Sequence, residues 1–161
     1  MTTKTLLTSA ALLVAAMTAP PALADGKIYV QLPDLSAYHG EAAEDFLTEI
    51  VMANVVSSNC AGYEITEEEW SLLTDSADIL ARGQLGLSVG DYDDRYYSPA
   101  FDALDEADTC STYGPHVATV INTLVGLGGS REALPDQDKA YEEWSAMQAA
   151  WDAPRTKTKT K

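Results

Sequence analysis

The sequence predicts an all-α protein: an irregular bundle of about five helices with an extended N-terminal arm, stapled by one disulfide. Three observations predict it. Apolar residues recur at helical spacing in successive stretches from residue 41 to residue 152. Only one short segment, 27–33, alternates with the period of a strand. Finally, Cys60 and Cys110 are the only cysteines, and both lie beyond an export leader.

The leader is expected over residues 1–24. Lys4 supplies its positive end, Leu6 to Met17 its apolar stretch, and Ala22-Leu23-Ala24 a small-residue cleavage site before Asp25. Neither this stretch nor Val117 to Leu127 is long enough to cross a bilayer. The expectation is an exported protein, periplasmic or secreted, with no membrane segment in the mature chain. Residues 25–154 then form one helical domain, large enough to close a core. Residues 155–161, Arg-Thr-Lys-Thr-Lys-Thr-Lys, form a basic tail with nothing to bury, expected to be disordered.

The arm follows the leader. Ile28, Val30 and Leu32 should face one way and Tyr29 and Gln31 the other, with Pro33 ending the run. The first helix is expected over Glu41 to Asn59. Ala43, Phe46, Leu47, Ile50, Val51 and Val55 share one face, and Met52 and Val56 widen it, so this is the central helix. Gly62 can take the left-handed position beyond its end.

The second helix has a complete set of start signals. Thr66 and Glu69 form a capping box, Ile65 and Trp70 the pair of a hydrophobic staple, and Glu67, Glu68 and Glu69 complement the positive end of the helix dipole. Trp70, Leu73, Ala77, Leu80 and Ala81 should form its buried stripe, with Glu68, Asp75 and Asp78 in water. Gly83, Gly86 and Gly90 then loosen it, and the helix should end between Leu85 and Ser88. Small residues at that spacing either admit a close neighbour or mark fraying, and fraying is the reading taken.

Asp91 is the expected cap of the third helix. Ser98-Pro99 within it either kinks one continuous helix or starts a new one. Phe101 and Leu104 should point inward, and Cys110 should lie just past the end, so that the disulfide joins two helix C-termini. Gly114-Pro115 should start the fourth helix, with Val117, Val120, Ile121, Leu124 and Val125 inward and Gly128-Gly129 as its stop. The last helix is expected over Asp136 to Asp152. Its stripe is Ala140, Tyr141, Trp144, Met147 or Gln148, and Trp151.

Two cysteines in an exported chain are expected to be bridged. Closing that loop would stabilise the fold by roughly 4 kcal/mol on the loop-entropy model. With no CxxC and no CxxCH, a structural role is expected rather than redox work or haem attachment.

The chain holds 25 acidic and 10 basic residues, for a net charge of −15. Such a balance argues against nucleic acid and against an anionic membrane surface, both of which need cationic groups. It favours a protein or other cationic partner. Asp91, Tyr92, Asp93, Asp94, Tyr96 and Tyr97 are the candidate binding residues, because ring faces and carboxylates together hold a cation. The plainer reading of the same segment packs Tyr92 and Tyr96 inward and leaves the aspartates at a helix start.

No catalytic, cofactor or metal residues are expected. The acids of Asp91 to Asp102 have calcium-loop spacing, but Arg95 stands where a ligand oxygen belongs and Tyr96 where glycine is needed. His39 and His116 have no partner at helical ligand spacing, and nucleophile elbows and phosphate loops are missing. The sequence therefore points to a non-catalytic protein that binds or accompanies another protein, as an accessory factor or chaperone. The alternative is a small hydrolase or metal-dependent enzyme using scattered carboxylates and His116.

Overall fold

The computed structural model describes residues 26–153. The expected leader and the basic tail lie outside the described residues. The described fold is all-α, as the sequence predicts, with Cys60 bonded to Cys110.

Helix α1 (Glu41–Asn59) is the axis of the fold. Its buried set includes Phe46, Leu47, Ile50, Val51, Val55 and Val56, which covers most of its circumference, and it packs against both α2 and α5. Helix α2 (Glu67–Asp78) starts at the expected capping box: the Glu69 N–H donates to Thr66 Oγ1 and the Thr66 N–H to Glu69 Oε2, each at 3.2 Å. Between the two helices Gly62 takes φ +90°.

Leu73, Ala77, Leu80 and Ala81 are buried as expected, but the buried face is wider, taking in Leu72, Asp75 and Ser76 and leaving out Trp70. Trp70 is 39% exposed, so it lies outside the core stripe, and Asp75 is only 2% exposed rather than wet. Lys27 crosses from the arm and neutralises Asp75, a contact no local pattern in α2 reveals. The helix then widens into a π-helix, Ile79–Gln84, with the Leu85 N–H donating to the Leu80 carbonyl. Gly83 is a seat rather than a point of fraying. A Cβ there would stand 3.3 Å from the Trp151 indole nitrogen, so only glycine admits that ring so closely.

One broken rod follows: α3 (Val89–Tyr92), a π-helix (Asp93–Tyr97), α4 (Ser98–Asp102) and a 3₁₀ turn (Ala103–Asp105). Its cap is Ser88, not Asp91. Ser88 Oγ accepts from the Asp91 N–H at 3.0 Å and donates to the Asp91 carboxylate at 2.6 Å. Pro99 stands in the first turn of α4 without interrupting the run of helical residues. It falls where the π turn hands over to α4, and the Ser98 N–H before it still bonds to Asp93. The wide turn also resets which residues face in: Tyr92, Tyr96 and Ala100 are buried at spacing four, while Phe101, expected inside, is 51% exposed.

Helix α5 spans Thr109–Gly126 and so begins five residues before Gly114. The Gly114-Pro115 pair is internal. A Cβ at Gly114 would stand 2.2 Å from the Tyr63 ring, so the pair forms a seat for that tyrosine rather than a helix start. Cys110 therefore lies in the first turn of α5, and the disulfide joins the end of α1 to the beginning of α5, not two C-termini.

Helix α6 (Gln137–Asp152) is capped by Asp136, whose carboxylate accepts from the Lys139 N–H. It packs mainly on the arm, not on the central core. Val30 forms an isolated antiparallel bridge with Ala133, and Gln137 clamps Tyr29 by accepting from its N–H at 2.8 Å and donating to its carbonyl at 2.9 Å. Tyr29 is buried alongside Val30, against the expected alternation, because the arm has apolar neighbours on both sides. On one side lies the α1–α2–α5 core, and on the other Ala140 and Trp144. Packing on so thin a layer narrows the α6 stripe. Met147 and Tyr141 stay exposed, although the Tyr141 ring meets that of Tyr29 edge-on at 6.2 Å, and Ala140, Trp144 and Trp151 carry the buried contact.

Candidate functional site

The fold separates the six candidate residues of 91–97 into two sets. Tyr92 and Tyr96 are buried and Tyr97 half-buried, in a ring ladder: Tyr92 meets Tyr97 at 5.3 Å, and Tyr97 meets Phe101 at 6.3 Å. Burial raises the pKa of all three tyrosines, so they stay neutral. Their rings support the rod and offer little contact area. Asp91, Asp93 and Asp94 remain in water.

The exposed face of the rod runs further than the sequence segment. Asp102, Asp105, Glu106 and Asp108 continue it, with Phe101 51% and Val89 69% exposed among the acids. The exposure of Phe101 could not be read from the sequence, since it depends on the π turn. Arg95, the cation within the segment, is turned aside to Glu44 of α1 at 3.2 Å, and its guanidinium lies over the Tyr96 ring.

Every described lysine and arginine is held in this way. Lys27 pairs with Asp75, Arg82 with Asp152, Arg95 with Glu44, Arg131 with Glu69, and Lys139 with Glu143. Among the described residues no cation pairs with the exposed acids of the rod, which also exposes two apolar side chains, Val89 and Phe101.

His116 lies at a second location, a groove of about 450 Å³ between α1 and α5. Met52, Ala53 and Val120 line its floor, and Glu49, Tyr113 and His116 its rim. His39 is exposed just before α1, far in sequence from this groove. Among the described residues no group of three or more His, Cys, Asp or Glu could hold a metal ion.

A third cluster was invisible in the sequence. Asp75 and Asp78, one turn apart on α2, are both withdrawn from water. Burial pushes the Asp75 carboxyl up to about 6 despite its contact with Lys27, and burial likewise raises Asp78 against the pull of Arg82 and Lys27.

These features define a class: an acidic, disulfide-stapled helical bundle with no helix among the described residues long and apolar enough to cross a membrane. Comparison of the chain with protein-family models, with curated proteins and with solved structures finds no match.

Proposed function

We propose that this is an exported binding protein, an accessory factor or chaperone, that holds a cationic partner protein on the acidic face of the rod from Val89 to Asp108. One observation supports the reading. The described cations are all paired with other carboxylates, and none of them pairs with the exposed acids of the rod, whose Phe101 and Val89 are also exposed. Unscreened carboxylates steer a positive partner into encounter, and an exposed aromatic set on a rigid ladder supplies contact at low ordering cost. Export agrees with the disulfide, which persists in oxidising compartments. The test is capture of the partner by crosslinking, followed by two variants. Asp93→Asn with Asp94→Asn should weaken binding and flatten its salt dependence, while Phe101→Ala should weaken it at every salt concentration. Unchanged binding of both variants at low salt would remove the rod from consideration. The basic tail is a competing cation, so deleting residues 155–161 should strengthen binding.

The second reading, a small hydrolase or metal-dependent enzyme, is favoured by the groove that places His116 and Glu49 on one rim. It requires an activity that His116→Ala abolishes while the thermal transition is preserved.

A further inference from the structure

We propose that Asp75, Trp144 and Tyr29 form an ammonium-binding cage, occupied in this structure by the protein's own Lys27, and that an alkylammonium ligand enters by displacing that lysine. The site is separate from the rod. The Lys27 ammonium is 2.6 Å from Asp75 Oδ1, 4.5 Å from the centre of the Trp144 ring and 5.0 Å from that of Tyr29. A buried carboxylate with two aromatic faces is the chemistry that recognises an ammonium: the rings attract it through their quadrupoles, and the carboxylate through charge in a poorly hydrated setting. The Asp75 side chain is 3% exposed, whereas that of Lys27 is 19% exposed, so the occupant borders solvent and the carboxylate does not.

The surroundings allow exchange without dismantling the fold. On one side Asp75, Tyr29, Glu143, Trp144 and Met147 line a cleft of about 190 Å³, roughly six waters' share of liquid volume, through which a ligand can approach. On the other side Lys27 borders a cleft of about 590 Å³ with Ser57, Glu64, Glu67 and Trp70 on its walls. A displaced Lys27 can swing into that space, where two carboxylates and an exposed indole receive its charge. The Gln137 clamp holds the arm at Tyr29 independently of Lys27, and Gly26 precedes Lys27 in a left-handed conformation. The lysine can therefore leave while the Tyr29 wall stays in place. Occupation by a tethered lysine lowers the apparent affinity for any free ligand, and removing the tethered competitor should raise it.

The experiment follows the indole N–H resonances of the intact protein by NMR at pH 8, with tetramethylammonium as probe and 3,3-dimethylbutan-1-ol, a neutral alcohol with a tert-butyl group of matching shape, as control. The Trp144 signal should shift saturably with the cation and not with the alcohol. Lys27→Met should bind the cation at least tenfold more tightly than the wild type, and adding Asp75→Asn to that variant should abolish the gain. Should Lys27→Met not fold, the wild type gives an independent reading: saturating tetramethylammonium should increase acylation of the Lys27 amine. A folded Lys27→Met whose Trp144 signal responds no more strongly than that of the wild type overturns the cage. So does a wild-type Lys27 whose acylation rate ignores the cation, or an equal response to the alcohol. A lysine-containing peptide that outcompetes tetramethylammonium identifies the ligand as a protein side chain, and the reverse order identifies a free quaternary amine.

Discussion

The α1–α2–α5 core and the arm–α6 layer are built on different principles, although they share one chain. The core is a large set of fully buried aliphatic side chains, closed by a disulfide across its edge. In the arm–α6 layer, three buried residues, Tyr29, Ala140 and Trp144, sit among partly buried neighbours. The layer depends on directional contacts: the Gln137 clamp, the Lys27–Asp75 pair, and the Arg82–Asp152 pair beside Trp151. Aliphatic burial has no titrating group and is not weakened by ionic screening, whereas ion pairs and ring–cation contacts are. The comparison teaches that the two regions should respond to different perturbations.

The largest effect should fall on the core. Replacing both Cys60 and Cys110 with serine is expected to cost up to about 4 kcal/mol in urea unfolding, less whatever strain is released. Labelling of the unfolded, unreduced wild type should find no free thiol. Next in size, Trp144→Ala should cost about 3 kcal/mol. Amide exchange should then show α6 and the arm loosened while the α1 amides keep most of their protection. If α1 and α6 lose protection equally, the two regions are one cooperative unit and the contrast fails.

Acidification should act on the layer through Asp75. Its folded carboxyl holds a proton up to about pH 6, against an ordinary value of 3.8. The folded state thus binds the proton more readily than the unfolded chain in that window. Stability should therefore rise as pH falls from 7 toward 4, by about 2 kcal/mol, and be lost again as pH climbs through 6. Asp78, raised in the same direction, adds to the trend. Asp34 is lowered by hydrogen bonds from the Ser36 hydroxyl and N–H, and Glu64 by those from its own N–H and that of Gly62, so their contribution is lost only at still lower pH. Asp75→Asn should flatten the pH dependence between 7 and 4, and an unchanged slope would assign it elsewhere. The smallest effect expected is that of Thr66→Ala, about 1 kcal/mol from the lost cap, confined to the start of α2.

What the sequence revealed and what it hid divide along the same line. Local signals read correctly: the bounds of α1, the Thr66–Glu69 box and the Asp136 start of α6 all depend on residues close together in the chain, and the cysteine pair, 50 residues apart, was legible because the sequence holds no other cysteine. Misreadings arose where a distant segment decided the matter. Asp75 looks wet until Lys27 crosses it, Tyr29 looks outward until α6 covers it, and Gly114-Pro115 looks like a start until Tyr63 needs its space. Phe101 was misplaced by a π turn, whose period differs from the one assumed in reading its face. The candidate residues suffered likewise. The aspartates of 91–94 were found in water, but the packing that withdraws Tyr92 and Tyr96 comes from the reset register of the rod.

The Gln137 clamp also bears on the order in which the molecule can be assembled. It ties residues 108 positions apart, whereas the cysteines are separated by 50. Doubling the span of a loop adds only about 0.6 kcal/mol to its closure cost, so distance alone does not weaken the clamp. It does set the time at which the clamp can form. On a chain emerging from its N-terminus, α1, α2 and α5 are all available to condense before Gln137 emerges. Until then the arm, with its unpaired Val30 backbone and the Tyr29 ring, waits without its cover. Such an uncovered strand edge is a template for another chain. For this protein the interval of greatest exposure to misassembly should be the one between completion of the core and arrival of α6.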